Sequence, residues 1–471
     1  ARTAHSGWPA RDDDMTASVN APTVAERLAA AIVAGYGRPL PGALRERAEE
    51  LLIDVVGLAV AARASDYVRA VLAACEDSGH CTAFGHERAL GAADAAFVNG
   101  TAAHGEDFDD TFEGGPVHAG AVVVPAVLAA AERDRLAGAD ALYGIAVGAE
   151  TMCRLSLVIP KAIHKAGFHP TAVLGALAAA AGVGATRRLD ARQLVDALGI
   201  AGSMASGIIE YLAEGAWTKR LHPGWAAQSG LRAARLAEGG FLGPRSVFEG
   251  THGLFNGFAR SAAGDWGKLL DGFGRDWLAT GIAFKPYACG TMIHPYIDCA
   301  RRLAARGVRA GDVAEISCEV AEGTVHRLWE PLAAKRRPPN AYAAKFSTPF
   351  GIAVGFVLGD AGLGAYTEES VRDPRLLEVA AKVAYVVDPA NPYPNAYTGH
   401  LRVRLNDGRV IEERQPFLRG GTQAPLGRGE IEAKFRANAA YGGWSAARAE
   451  SFLAFARSAF DGSISLQPYR R

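Results

Sequence analysis

Residues 104–118 read HGEDFDDTFEGGPVH, a polar stretch between two apolar, alanine-rich runs, LGAADAAFVNGTAA (90–103) and AVVVPAVLAAAE (121–132). Helical spacing of the flanks predicts two buried helices. The stretch between them contains acidic groups, a hydroxyl and two imidazoles: Glu106, Asp107, Asp109, Asp110, Thr111, His104 and His118. Because unpaired buried charge is costly, these groups either satisfy one another or serve a binding or catalytic purpose. The alternative is a solvated acidic loop joining two helices.

Outward from this stretch, helical periodicity dominates up to about residue 260. VAERLAAAIVAGY and LRERAEELLIDVVGLAVAARA place apolar residues on one face and charges on the other. Strand-like alternation is nearly absent over this part. Further helices are predicted near 90–103, 119–136, 139–158, 170–186, 190–206 and 225–237. This pattern indicates a large all-helical domain.

The pattern changes after residue 281. Alternation with period two predicts strands within 313–328 and 381–388, and a hairpin over 401–414 that turns at Asn406-Asp407-Gly408. Helix-like runs at 295–306, 348–359 and 374–382 interleave with these strands, and 444–460 is helical again. We therefore expect a mainly α protein with a smaller α/β (α+β) lid domain. The predicted boundaries are a disordered leader at 1–20, a helical domain at 21–279 completed by 416–471, and the lid domain at 280–415.

Composition excludes several classes of protein. The chain has 471 residues, 49% of them hydrophobic, with fifty basic and fifty acidic residues, so we expect no nucleic-acid or membrane partner. The apolar stretches near 121–131 and 170–186 are too short or too glycine-interrupted to span a bilayer. Six scattered cysteines do not form a disulfide framework, which favours a cytoplasmic protein. Cys75, His80 and Cys81 are only a weak metal signal, and we expect no metal site.

Four other segments place polar residues in apolar surroundings, and each has a structural alternative. GFHPT (167–171) puts His169 at a helix start, where it acts on an anion or simply caps the helix. The segment 215–230 carries Lys219, Arg220 and His222, which form a carboxylate clamp or an ordinary surface loop, and the flanking tryptophans favour the clamp.

The other two segments lie nearer the predicted domain boundary and in the lid. FKPYACGTMIHPYIDCA (284–300) offers Lys285 and His294 at the domain interface, where ligand sites are common, whereas Cys289 lacks an adjacent activator. Lys345 in NAYAAKFSTPFG (340–351) is better explained by packing.

The candidate residues favour one kind of chemistry. The sequence has no GxSxG elbow, P-loop, GxGxxG after a strand or HExxH, so covalent hydrolysis, nucleotide-driven chemistry and nicotinamide redox are poorly supported. Histidine, lysine, aspartate and threonine can transfer protons next to a carboxylate without a cofactor. Elimination of water, loss of CO2 and inversion at an acidic carbon are the reactions that remain.

Taken together, the segments resemble the MmgE/PrpD family, which includes 2-methylcitrate dehydratase, cis-aconitate decarboxylase and iminodisuccinate epimerase. The resemblance runs from about Ala25 to the C-terminus. It rests on DFDDT…H (107–118), GFHPTAVLGALAAAA (167–181), EGAWTKRLHPGWAAQSG (214–230), FEGTHGLF (248–255), FKPYACG…HPYIDCA (284–300), AKFSTPFGIAVG (344–355) and EAKFRANA (432–439). It implies a homodimer without metal or organic cofactor, and an active site in the cleft between a helical domain and a lid.

The same resemblance implies site residues. Asp107, Thr111 and His118 come from the first motif, His169 from the second, Lys219 and His222 from the third, and Lys285 from the fourth. In the cis-aconitate decarboxylase branch a histidine follows the lysine of the fourth motif by five places, but here that place is Gly290 and the nearest histidine is His294. The spacing between Thr111 and His118 is also one residue longer than in that branch. Both differences weaken the decarboxylase assignment.

The leading interpretation is a lyase that dehydrates a hydroxy di- or tricarboxylate of the 2-methylcitrate type. Catalytic roles are expected for Asp107, Thr111, His118, His169 and Lys219, and substrate binding for His222, Lys285 and His294. In this interpretation Asp107 orients a histidine, and His118 and His169 exchange protons with the substrate. The alternatives are an epimerase of an amino- or imino-dicarboxylate, a cis-aconitate decarboxylase-like lyase and a non-catalytic carboxylate-binding protein.

Overall fold

The computed structural model describes residues 21–76, 78–115 and 117–470. The predicted leader at 1–20 lies outside the described residues. Helices form most of the first 270 residues, as the periodicity predicts. They are α1 (Val24–Ala34), α2 (Gly42–Ala62), α3 (Asp66–Ala74), α4 (Ala92–His104), α5 (Ala119–Asp134), α6 (Gly138–Val158), α7 (Ala162–Lys165), α8 (Pro170–Thr186), α9 (Ala191–Met204), α10 (Tyr211–Glu214), α11 (Thr218–Glu238), α12 (Leu254–Ala259) and α13 (Trp266–Leu270).

The core of this region surrounds α8, in which every residue is buried. Helices α5, α6, α9 and α11 pack around it. Alanine and glycine make up most of α8, and their small side chains let the neighbouring backbones approach closely. The predicted helix 139–158 corresponds to α6, which is long and apolar enough to cross a membrane. However, 89% of the apolar stretch of α6 is buried inside the protein, as in a core helix.

Short strands join distant segments of the helical region. They are β1 (Ser78–Thr82), β2 (Ala89–Leu90), β3 (Thr111–Phe112) and β4 (Ile282–Ala283). β1 pairs with β2, and β3 pairs antiparallel with β4. The β3–β4 pair matters for function because it fixes the 104–118 stretch against the segment that leads to Lys285.

The smaller region contains a four-stranded mixed sheet with the strand order β6-β5-β7-β8. β5 and β6 are parallel, and β7 and β8 form the predicted antiparallel hairpin, in which Gly408 adopts φ 89° at the turn. Helix α14 packs on β7, β8 and α18. The elements are α14 (His294–Ala305), β5 (Val313–Val320), α15 (Glu322–Leu328), α16 (Leu332–Arg336), α17 (Ala341–Ala344), α18 (Thr348–Val357), α19 (Pro374–Ala381), β6 (Val383–Val387), β7 (Gly399–Leu405) and β8 (Val410–Gln415).

Two predicted elements differ from the structure. The strand predicted within 313–328 ends at Val320, and 322–328 is helix α15, because Thr324 and Leu328 are buried at the helical spacing of four. The helix predicted at 225–237 begins earlier, at Thr218, so that Pro223 lies inside it. Only the carbonyl group of Lys219 loses its helical partner to Pro223, which makes the proline tolerable near the helix start.

The chain ends with α20 (Arg428–Tyr441) and α21 (Ala446–Ala456). Both helices pack on α2 of the helical region, and α20 also packs on α21. The C-terminal segment therefore contacts the first helices of the chain. The residue boundaries of the predicted domains stay predictions.

Close helix packing generates a stability prediction at Gly100. A Cβ atom at this position would lie 2.7 Å from the Cα atom of Gly224 in α11 and 2.9 Å from the carbonyl oxygen of Ala121 in α5. Gly100→Ala should therefore lower the free energy of unfolding by about 1–3 kcal/mol through overpacking. Chemical denaturation measures this change. Gly429→Ala in α20, where no atom lies within 4 Å of the added Cβ, is the control and should not destabilise the protein. Equal stability of the two variants would contradict the prediction.

Candidate active site

The 104–118 stretch is buried in the structure. Asp107 is 6% exposed, and Asp109 and Asp110 are fully buried. This finding excludes the solvated acidic loop and leaves the question of how three buried carboxyl groups are satisfied. Each of the three aspartates is satisfied by a different environment.

Asp107 forms ion pairs with two lysines. Its Oδ1 atom lies 2.7 Å from Nζ of Lys219 and 3.1 Å from Nζ of Lys285. Burial favours the neutral acid, but the two ammonium groups outweigh burial and hold the pKa of Asp107 well below its usual range. Burial also disfavours the charged form of Lys219, yet the carboxylate raises the pKa of this lysine above its ordinary value. The prediction that Asp107 orients a histidine is wrong, because its carboxylate serves the lysines.

His118 is held as one tautomer. Its Nδ1 atom lies 2.6 Å from the backbone carbonyl oxygen of Asp110, which can only accept a hydrogen bond, so Nδ1 carries the proton. Burial lowers the pKa of His118 to about 3, against the opposing charge of Asp109. The ring is therefore neutral, with the lone pair on Nε2. Its side chain is 11% exposed and lines the cleft described below, so His118 can act as a base there.

Asp109 is the carboxylate that contacts histidines. Its Oδ2 atom lies 2.7 Å from Nδ1 of His104 and 3.5 Å from Nδ1 of His118. Burial would raise the pKa of Asp109, but the two imidazoles lower it below its usual range. Asp109 is thus placed to stabilise an imidazolium on His118. Both Asp109 and His104 belong to the opening motif, but the sequence did not indicate their roles because five acidic residues compete there.

Asp110 has no cationic partner within the part of the chain that the structure describes. Its Oδ1 atom accepts a hydrogen bond from the backbone N–H of Gly120 at 3.0 Å. Burial and the neighbouring Asp109 carboxylate raise the pKa of Asp110 to about 8. Near neutral pH this group therefore holds a proton, in contrast to Asp109.

His169 and His222 form a second layer behind His118. His169 is the N-cap residue of α8, as its position before Pro170 predicts. Its Nδ1 atom lies 3.1 Å from Nδ1 of His222, and its ring centroid lies 6.3 Å from that of His118. Burial lowers the pKa of both rings, to about 4 for His222. Neither residue lines the cleft, so the predicted direct proton transfer by His169 and substrate contact by His222 are not supported.

A cleft of about 180 Å³ brings most of the predicted residues together. The chain segments that form it come from the helical region and from the smaller α/β region. The predicted residues that line it are Asp107, Thr111, His118, Lys219 and Lys285. The cleft is also lined by residues that no sequence pattern indicated, which are Glu113, Met292, Arg327, Phe346 and Tyr397.

Arg327 is the most informative of the missed residues. It lies on α15, in the segment that period-two alternation predicted to be a strand. A strand would have projected alternate side chains to opposite faces of the sheet, whereas the helix presents Arg327 at the cleft.

Two residues of the later motifs have other roles than predicted. His294 is fully buried, and its Nε2 atom lies 3.1 Å from the carbonyl oxygen of Cys289 rather than at the cleft wall. Its predicted contact with substrate is therefore wrong. Lys345 does more than pack, since its Nζ atom lies 2.5 Å from Oε2 of Glu106. Burial raises the pKa of Cys289 to about 12, which keeps the thiol protonated.

The residues around Lys219 also differ from expectation. Arg220 does not join the carboxylate clamp but lies between the rings of Tyr67 and Tyr342, at 4.5 and 5.1 Å from their centroids. The flanking tryptophans, Trp217 and Trp225, are 49% and 44% exposed. Lys219 alone therefore carries the predicted function of this motif.

One group of side chains has the composition of a metal site. Candidate ligand atoms of His104, Asp109 and His118 lie within 4.8 Å of one another. In the described arrangement, however, Nδ1 of His104 contacts Asp109 directly and Nδ1 of His118 contacts the carbonyl group of Asp110. A metal ion with ligand distances of about 2.0–2.2 Å would have to replace both contacts. The arrangement fits a hydrogen-bond network better than a metal centre.

Comparison with known proteins identifies the family. Residues 26–265 match the MmgE/PrpD N-terminal domain, and residues 287–456 match the MmgE/PrpD C-terminal domain. The chain belongs to the MmgE/PrpD family. The expected family membership is therefore confirmed, and the cleft lies between segments that belong to both matched domains.

Similar members of the MmgE/PrpD family are named as decarboxylases. The cis-aconitate decarboxylase of Aspergillus terreus is 28% identical over 84% of this chain and 85% of its own length. The cis-aconitate decarboxylase of Homo sapiens is 31% identical over 73% of this chain and 72% of its own, and that of Mus musculus is 29% identical. These matches support a lyase of this family.

The raised pKa of Asp110 predicts a pH dependence of stability. Between about pH 4 and pH 8 the native state binds a proton that the unfolded state has released, so stability falls as pH rises through this range. The lowered pKa values of His118 and His222 act in the opposite direction, but only below about pH 6.5.

Asp110→Asn should therefore flatten the loss of stability between pH 6.5 and 8, because the amide does not titrate. Unfolding midpoints in urea at several pH values measure this slope. The exposed Asp360→Asn is the control and should keep the wild-type slope. An unchanged slope in Asp110→Asn would show that Asp110 is not the titrating group.

Proposed function

We propose that this protein is a cofactor-independent lyase that dehydrates a hydroxy di- or tricarboxylate of the 2-methylcitrate type. The observation that carries the proposal is the free Nε2 atom of neutral His118 on the wall of a cleft that also contains the ammonium groups of Lys219 and Lys285. A base beside two cations suits removal of a proton from the carbon next to a carboxylate. Family membership supports the lyase class.

The charges of the cleft favour an anionic substrate. Lys219, Lys285 and Arg327 are the cations at its wall, and Asp107 and Glu113 are the carboxylates. Among the described residues, Arg327 has no ion-pair partner, so its guanidinium group is free to bind a second carboxylate in a bidentate contact. Thr111 adds a hydroxyl group at the same wall. A substrate with two or three carboxylates matches these groups.

His118 can carry both proton transfers of the dehydration. In the first step Nε2 takes the proton from the carbon next to a carboxylate, and Asp109 stabilises the imidazolium from 3.5 Å. In the second step the carbon–oxygen bond breaks, and the imidazolium returns its proton to the departing hydroxyl group, which leaves as water. Because His118 is the histidine at the cleft wall, both groups leave from one face of the substrate.

Gly290 supports the dehydratase over the second candidate, a decarboxylase acting on cis-aconitate. The named relatives favour decarboxylation, but at this position in the cleft wall the decarboxylase branch carries a histidine. A Cβ atom at Gly290 would lie 3.5 Å from the nearest atoms, so the site has room for a side chain that this protein lacks. The epimerase alternative stays a prediction without a specific observation in its favour.

The expected homodimer and cytoplasmic location also stay predictions. In support of self-association, exposed large apolar side chains are concentrated between residues 208 and 242. They are Ile208, Leu212, Trp217, Trp225, Leu236, Phe241 and Leu242. A concentration of this kind is typical of a protein interaction surface.

Proton NMR in D2O with purified protein tests the proposal. Methylcitrate, citrate, cis-aconitate and iminodisuccinate are offered in turn, and the spectra report elimination, decarboxylation and solvent exchange together. We expect elimination from a hydroxy acid. Loss of CO2 from cis-aconitate without any elimination would contradict the proposed dehydratase and favour the decarboxylase.

His118→Asn should lower kcat by about 10²–10⁴, because the amide can still donate to Asp110 but cannot accept a proton. Initial rates on the substrate found by NMR measure the loss. His252→Asn, at an exposed position, is the matched control and should retain wild-type activity. Turnover close to wild type in His118→Asn would remove His118 from the mechanism.

Gly290→His tests whether the residue at position 290 determines which of the two lyase reactions occurs. If this position determines the reaction, the variant should lose dehydratase activity and gain decarboxylation of cis-aconitate, measured as CO2 release. Gly290→Ala fills part of the space without adding a proton donor and should gain no decarboxylation. Equal behaviour of the two variants would mean that position 290 affects only the volume of the cleft.

A further inference from the structure

Three buried lysines donate hydrogen bonds to consecutive backbone carbonyl groups of the 104–118 stretch. The lysines come from separate parts of the sequence. The contacts are Lys345 Nζ to the carbonyl oxygen of Glu106 at 2.9 Å, Lys285 Nζ to that of Asp107 at 2.9 Å, and Lys434 Nζ to that of Phe108 at 2.7 Å. We call these three residues the lysine clamp. Lys434 belongs to the EAKFRANA motif, to which the cleft itself assigns no role.

The backbone at this point needs partners from outside. Asp107 adopts a left-handed conformation with φ 56°, which costs a residue with a Cβ atom about 1–2 kcal/mol. The turn interrupts regular structure between α4 and β3, so the carbonyl groups of residues 106–108 have no helix or sheet ladder to join. Buried carbonyl groups without a partner are costly, and the lysine clamp supplies the missing donors.

Each lysine of the clamp pairs with a carboxylate, and Lys285 shares its carboxylate with Lys219. Lys345 pairs with Glu106, and Lys285 pairs with Asp107. Lys434 lies 2.7 Å from Oδ1 of Asp54 on α2, and its Nζ atom lies 4.0 Å from the centroid of the Phe108 ring. Every ammonium group of the clamp therefore has a neighbouring carboxylate, which offsets part of the cost of burying it.

The members of the clamp differ in their relation to the cleft. Lys285 lines the cleft and belongs to the binding machinery, whereas Lys345 and Lys434 are not among the residues of the cleft wall. Lys434 is on α20, and Lys345 immediately follows α17 of the smaller region. Both side chains contact the loop that carries Asp107 and His118.

We infer that Lys345 and Lys434 are positioning residues that fix the backbone of residues 106–108 and thereby aim Asp107 and His118 into the cleft. The expected effect of these two lysines on activity rests on the proposed function, whereas their expected effect on the structure of the loop does not. Lys345 lies in the smaller region, and Lys434 lies on the C-terminal helix α20. The lysine clamp therefore couples the loop to the smaller region and to α20.

Two variants test the inference. Lys434→Met alone would leave Asp54 buried without a counter-charge, so it is combined with Asp54→Asn. Lys345→Met is the milder variant, because Glu106 is partly exposed and keeps a hydrogen bond from the hydroxyl group of Tyr67 at 3.0 Å. The control is Lys382→Met with Glu378→Gln, which removes an i,i+4 ion pair from the surface.

Hydrogen exchange followed by mass spectrometry gives the decisive readout. The protected amides of the loop include Asp107, which donates to His104, and Phe112, which donates to Val117. Loss of one charge-assisted hydrogen bond should speed exchange across 104–120 by about tenfold or more in both test variants. In the test variants, protection of α8 should stay at the wild-type level. In the control variant, Lys382→Met with Glu378→Gln, protection across 104–120 should also stay at that level.

Kinetics on the substrate found by NMR provide a second readout. Because the cleft cations Lys219 and Lys285 remain, kcat should fall by about tenfold to hundredfold while KM changes less. Unchanged exchange across 104–120 in Lys345→Met and in the double variant would overturn the inference. If no carboxylate is turned over by the wild type, the proposed function fails, and the exchange experiment still decides whether the lysine clamp holds the loop.

Discussion

The site depends on the burial of the Asp107 carboxylate between the ammonium groups of Lys219 and Lys285. These lysines lie 112 and 178 residues away along the chain, so their convergence is a property of the fold. Removing any one charge would leave the others uncompensated in a region of low dielectric constant, which costs more than the pair contributes when complete. This mutual dependence explains why an acidic loop can occupy the interior, and why it needs lysines from several elements.

A rigid scaffold surrounds this charged loop. Helix α8 is buried along its whole length, and its alanines and glycines leave little room for side-chain rearrangement. The N-cap of α8 is His169, and α5 begins directly after His118, so two of the imidazoles are fixed by helix starts. The pairing of β3 with β4 then sets the distance between the opening motif and Lys285. Catalytic groups held by helix starts and a strand pair need little reorganisation before reaction.

The three aspartates of one loop show how environment separates identical side chains. Asp107 is ionised by lysines, Asp109 is ionised by imidazoles, and Asp110 keeps a proton because burial and the neighbouring Asp109 carboxylate raise its pKa. The first pairs with two lysines of the cleft wall, and the second lies against two imidazoles. The third avoids a further buried negative charge. The division of labour arises from contacts at 2.7–3.5 Å and not from the residue type.

The sequence by itself determined the helical class, the sheet hairpin and the cleft residues that belong to local motifs, because helical and strand periods and motif spacing are local properties of the chain. Only the tertiary structure decided that Asp109 and not Asp107 serves the histidines, that His169 lies behind His118, and that His294 is turned away from the cleft. It also brought Arg327 to the cleft and Lys434 to the loop. Partners of a buried charge are chosen by three-dimensional distance, and residue spacing along the chain carries no information about that distance when the partners are more than a hundred residues apart.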